Sequence, residues 1–93
     1  MYYSELVKRA CTILYEAHRD DLDKGGYPYV FHPFYLAAQM DDEATVCTAL
    51  LHDVIEDHGD RYSFDDLARA GFPGPVLQAL RLLFHADGVP YMD

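Results

Sequence analysis

The chain has 93 residues, 51% of them apolar, enough for one small domain over 1–93 with a modest core. Sixteen acidic against seven basic residues leave a net charge of −9, which argues against nucleic acid or an anionic membrane as partner, because phosphates are held by lysine and arginine. The N-terminus carries Glu5, Lys8 and Arg9 and no long apolar run, so neither a signal peptide nor a membrane span is expected.

Ser4 is placed to cap a first helix in which Leu6, Ala10, Ile13, Leu14 and Ala17 repeat at helical spacing to about His18. Gly25, Gly26 and Pro28 then mark a loop, which Tyr27 to Val30 leave in an extended conformation. Pro33 suits the first position of a second helix through Leu36, Ala37 and Met40, with His32 at its N-cap. Asp41 or Asp42 can cap a central helix running to about Asp57, which His58-Gly59-Asp60 interrupts. Ser63 with Asp66 resembles a capping box, opening a short helix that Gly71 ends. Gly74-Pro75 begins the last helix, with an apolar stripe of Val76, Leu77, Leu80, Leu83 and Phe84 and an end before Gly88; His85 near its last turn reads as solvated or as satisfying the helix dipole. No longer strand-period segment than Tyr27 to Phe31 occurs, so the expected fold is all-α with about five helices. Cys11 and Cys47 lie in apolar helical patterns outside any CxxC spacing and read as buried free thiols, pointing to a reducing, cytoplasmic setting.

The central helix carries Leu50-Leu51-His52-Asp53-Val54-Ile55-Glu56-Asp57. At about 100° per residue, Val46, Cys47, Leu50, Leu51, Val54 and Ile55 fill one half, while Thr48, Ala49, His52, Asp53 and Glu56 fill the other. Imidazole and carboxylate are ligands for a divalent first-row metal, and Glu56 lies one turn on from the His-Asp pair. The competing reading is a solvated helix face. Against it, Thr48 and Ala49 stand where a surface usually has lysine or glutamate, and a small uncharged approach suits a pocket. No lysine or arginine lies between Gly25 and Asp60, although Asp41, Asp42, Glu43, Asp53, Glu56, Asp57 and Asp60 do; a bound cation would stabilise that segment.

Taken together, Ala17-His18, the Lys24-x-Gly-x-Pro-Tyr run to Tyr29, Tyr29-x-x-His32-Pro33 and Leu50-Leu51-His52-Asp53-x-x-Glu56-Asp57 resemble the HD-domain hydrolases of the Rel/SpoT type, from about Leu6 to Asp93. The resemblance implies an all-α helical bundle in which His32, His52 and Asp53 hold a manganese ion together with a distant aspartate. It also implies guanosine tetra- and pentaphosphate as substrates, cleaved at the 3′ pyrophosphate, with Glu56 and Asp57 assisting the water. Such an ion lowers the pKa of its bound water and neutralises phosphoryl charge, and either acid could pass the proton. Lys24 could meet a phosphate or be a solvated loop lysine.

Two departures from the family pattern shape the expectations. Asp23 stands where the family usually has arginine beside the residue matching Lys24, so an acid replaces one cationic contact. The family's last metal aspartate lies in a later stretch resembling KLADLxxN, which this sequence lacks, leaving Asp87 or Asp93 as local stand-ins. The expectation is of a domain short of the family's C-terminal helices, hydrolysing poorly alone and self-associating as a homo-oligomer. Two functions stay open: a metal-dependent phosphohydrolase acting on guanosine pyrophosphates, or a catalytically incomplete domain that binds a metal, a nucleotide or a protein.

Overall fold

The computed structural model describes residues 2–88, and the side chains of residues 2–83. Six helical segments follow in order: α1 (Glu5–His18), α2 (Phe31–Ala38), α3 (Glu43–Leu51), α4 (Val54–His58), α5 (Phe64–Arg69) and α6 (Gly74–Gly88). No strand occurs among the described residues, whose one isolated β-bridge pairs Leu22 with Pro28 across the loop after α1. The fold is all-α, as expected. No helix of the described residues is long and apolar enough to cross a membrane.

Local chemistry explains most boundaries. The Ser4 hydroxyl accepts from the Val7 amide at 3.1 Å, Asp42 accepts from Thr45 at 2.9 Å, and Ser63 with Asp66 forms a complete capping box. Each satisfies amides that a helix start leaves without intrahelical partners. Gly71 adopts φ +103° after α5, a left-handed conformation that costs glycine little. α2 begins two residues earlier than the proline position suggests, with Val30 as N-cap; Pro33 is tolerated in its first turn because the missing N–H has no intrahelical acceptor there.

α3 is the middle of the molecule, packed against α1, α2 and α6. Its buried residues are Val46, Cys47, Leu50 and Leu51, and Val54 continues the row into α4, which is the half that the spacing assigned to the core. They share one buried cluster with Val7, Leu14 and Ala17 of α1 and with Leu67, Val76 and Leu80 of the later helices. Burying one such leucine or valine side chain contributes about 1.5–3 kcal/mol relative to leaving it in water. Cys47 is buried, Cys11 half-buried, and both thiols are free. The side chains of His85 and Asp87, and all of Asp93, lie outside the described residues.

Candidate metal centre

The expected single central helix is broken at the His-Asp pair. α3 ends at Leu51, His52 is its C-cap, and Asp53, at φ −106° and ψ 1°, is the residue from which α4 starts afresh. The cause is chemical: His52 Nδ1 lies 2.7 Å from the carbonyl oxygen of Ala49, the acceptor that the Asp53 amide would use in an uninterrupted helix. A side chain competing for that carbonyl interrupts the ladder. Asp53 then sits in the sparsely populated bridge region of backbone space, where active-site residues recur.

That carbonyl also assigns the imidazole's proton. Since an oxygen with only lone pairs faces Nδ1, Nδ1 carries a hydrogen and donates it there, which turns Nε2 toward Asp53. Nε2 lies 3.2 Å from Asp53 Oδ2, and the same carboxylate accepts a hydrogen bond from the Tyr29 hydroxyl. Asp53 is held ionised, at a pKa of about 2, first by its hydrogen bond with His52 and then by Tyr29, against the opposing effect of burial. Tyr29 is pushed upward by burial and by the neighbouring Asp53 charge, so it remains a hydroxyl that can donate.

His32, in the first turn of α2, is exposed. Its ring meets that of His52 at 5.8 Å between centroids and that of Tyr29 at 5.9 Å. The His32 ring thus lies beside the rings of Tyr29 and His52, while His32, His52 and Asp53 do not come together as a ligand set among the described residues. Glu56 and Asp57 are exposed on α4, one turn on. Asp57 is raised above the usual carboxylate range, first by desolvation and then by the Asp53 charge. Lys24 is exposed in the loop between Leu22 and Pro28, and no contact ties it to the pair. Beside His52 opens a cavity of about 370 Å³ lined by Leu36, Met40, Thr48, Ala49 and Leu83, so the small residues Thr48 and Ala49 do face a concavity.

A second group of ligand-type side chains escaped the sequence reading. His18, Asp21 and His58 have one ligand atom each within 4.8 Å of the others, the one such set of three among the described residues. His18 was legible as the last apolar-face position of α1, four residues after Leu14. Nothing in the spacing pairs it with His58, forty residues on.

No family model matches the chain. The chain is similar to curated proteins of guanosine pyrophosphate metabolism. A GTP pyrophosphokinase of Myxococcus xanthus is 39% identical over 57% of this chain and 8% of its own length. A guanosine-3′,5′-bis(diphosphate) 3′-pyrophosphohydrolase of Aquifex aeolicus is 34% identical over 64% of this chain and 9% of its own. A GTP pyrophosphokinase of Streptomyces coelicolor is 37% identical over 94% of this chain and 10% of its own. The chain spans about a tenth or less of the length of these relatives. At modest identity it is thus similar to proteins named for making, and others named for cleaving, guanosine pyrophosphates.

Proposed function

We propose that the chain is a metal-dependent phosphohydrolase of guanosine tetra- or pentaphosphate, or of a related nucleotide, with His32, His52 and Asp53 holding a divalent cation such as manganese. The observation carrying this reading is the His52–Asp53 contact. His52 Nε2 and the ionised carboxylate oxygen of Asp53 stand 3.2 Å apart, two ligand atoms that one cation could span in place of the proton they share. Its Nδ1 is committed to a backbone carbonyl, the arrangement that orients metal-binding imidazoles. These residues fit a divalent ion of the first row. When bound, such an ion would supply a water of lowered pKa and neutralise charge on the phosphoryl oxygens.

The remaining roles belong to the chain itself. Tyr29 fixes the Asp53 carboxylate through its hydroxyl. Asp57, with its carboxyl raised, is suited to take and return a proton near the reacting phosphorus, and Glu56 lies beside it to orient the water. Lys24, on its exposed loop, is available to a phosphate oxygen. One observation favours the other function: among the described residues His32, His52 and Asp53 are not a set of side chains gathered closely enough to hold a metal ion together. That suits a domain that binds a metal, a nucleotide or a protein without turning substrate over.

Metal content and pyrophosphate release, measured together on the wild type, His52→Ala and Asp53→Ala with added manganese and guanosine tetraphosphate, separate the two. Metal retained by the wild type and lost from His52→Ala, with release falling at least about 100-fold in Asp53→Ala, is the result expected of a hydrolase. Metal binding without release supports the binding module. Equal metal in the wild type and His52→Ala would overturn the His52 site and the hydrolase that depends on it.

A further inference from the structure

His18 ends α1, Asp21 lies three residues beyond it in the loop, and His58 ends α4. The three meet through one carboxylate oxygen: Asp21 Oδ2 is 2.8 Å from His18 Nδ1 and 2.7 Å from His58 Nε2. The two rings stand edge to face at 4.8 Å between centroids. We propose that His18, Asp21 and His58 form a second divalent-cation site, separate from the one proposed for His32, His52 and Asp53, which staples the C-terminal ends of α1 and α4 to the loop between α1 and α2.

The donor set is two imidazole nitrogens and one carboxylate oxygen, suited to zinc, cobalt or another first-row divalent ion, with a fourth position left for water. Tetrahedral ligands about 2.1 Å from zinc lie about 3.4 Å apart, so the two contacts to Asp21, at 2.8 and 2.7 Å, need to open by about 0.6–0.7 Å. Asp21 can supply that movement, since its side chain is 36% exposed on a loop. His18 supplies rigidity, being 1% exposed against the core.

Two further observations bear on what the cluster holds. His18 Nε2 is buried with no hydrogen-bond partner. While Nδ1–H is donated to Asp21, that nitrogen is a lone pair stranded away from water, an arrangement proteins avoid. The second observation is charge. Asp57 feels both Asp53 and Asp21, which help raise it, so three carboxylates share this end of the molecule. Arg61 is the cation beside them, and its guanidinium is already engaged with the carbonyl of Ala17 at 2.9 Å and with His58 Nδ1 at 3.1 Å. Those contacts hold the His58 ring with Nε2 toward Asp21. On ion binding, Nδ1 takes up the hydrogen, so Arg61 gives up its contact with His58 and keeps the Ala17 carbonyl.

Cobalt(II), titrated into the full chain and followed by visible absorbance, with bound metal counted after desalting, tests the proposal. The wild type is expected to bind one equivalent more than His58→Gln and one more than Asp21→Asn, while His52→Gln keeps the equivalent that those variants lose. Added zinc should raise the melting temperature of His52→Gln by several degrees and leave the His52→Gln, His58→Gln double variant unmoved. Equal cobalt in the wild type, His58→Gln and Asp21→Asn would overturn the site. Asp21→Asn decides the matter if His58→Gln fails to fold by circular dichroism, because Asp21 lies on a partly exposed loop. A failure of His52→Gln to lose metal would count against the first site alone.

Discussion

His52 is gripped from both nitrogens, by the Ala49 carbonyl on one side and the Asp53 carboxylate on the other, and this grip has a measurable dependence on pH. Asp53 falls from the model-compound 3.8 to about 2 in the folded chain. A carboxyl whose folded pKa is depressed contributes stability that is fully present above its unfolded pKa and is lost as pH falls through the folded one. In chelator, Asp53→Asn should therefore cost roughly 1–2 kcal/mol near pH 6, and the difference should vanish between about pH 4 and pH 2. Urea melts of both proteins at several pH values measure it. Asp57 has the opposite sign. Its folded pKa is raised by desolvation and by Asp53, so the stability it permits is present at low pH and declines as pH rises past the unfolded value. Asp57→Asn is expected to raise the melting temperature at pH 7 and, if Asp57 handles the proton, to lower pyrophosphate release; a lower melting temperature would contradict the electrostatic account.

At the scale of elements, the break between α3 and α4 is where local pattern and side-chain chemistry part company. The apolar spacing runs unbroken from Val46 to Val54, so packing alone would continue one helix. The imidazole's claim on the Ala49 carbonyl overrides it and turns Asp53 into a helix start. The beginning of α3 matters correspondingly more, because a nine-residue helix gains little from propensity and depends on its cap and its packing. Asp42 accepts from the Thr45 amide at 2.9 Å, and Asp42→Ala is expected to cost about 1 kcal/mol. Thermal melts at pH 7 check it; an unchanged midpoint would mean that Asp41, also present at this end, takes over the cap.

Over the whole molecule, the radius of gyration of 12.8 Å is close to the roughly 12 Å expected for a compact domain of this length. Yet the charge is −9, and self-repulsion opposes compactness. Among the described residues the exposed pairs Arg19–Asp20 and Arg69–Asp66 contribute little, since such pairs are each worth about 0–1 kcal/mol. Screening should thus relieve more repulsion than it removes attraction. The melting temperature is expected to rise as sodium chloride goes from about 0.02 M to about 0.5 M; a fall would show that attractive pairs outweigh the net charge.

The sequence by itself determined the all-α class, two of the helix caps, a third to within Asp41 or Asp42, and the buried half of the central segment, because those depend on residues within one or two turns of each other. Ser4, Asp42, the Ser63 and Asp66 box and the row Val46, Cys47, Leu50, Leu51 and Val54 all act locally. It also singled out His52 and Asp53 by type and spacing and, through the family resemblance, His32, and the similarity to proteins of guanosine pyrophosphate metabolism rests on such linear order. Only the tertiary structure decided that Tyr29 reaches Asp53 across twenty-four residues and that His58 reaches Asp21 across thirty-seven. These contacts exist because α1 and the loop after it pack against α3 and α4, and no period along the chain records which helix ends will meet. The break at His52 lies between the two cases. Its participants are three residues apart, but whether the imidazole turns back to its own backbone carbonyl depends on what Asp53 and the neighbouring rings leave open to it.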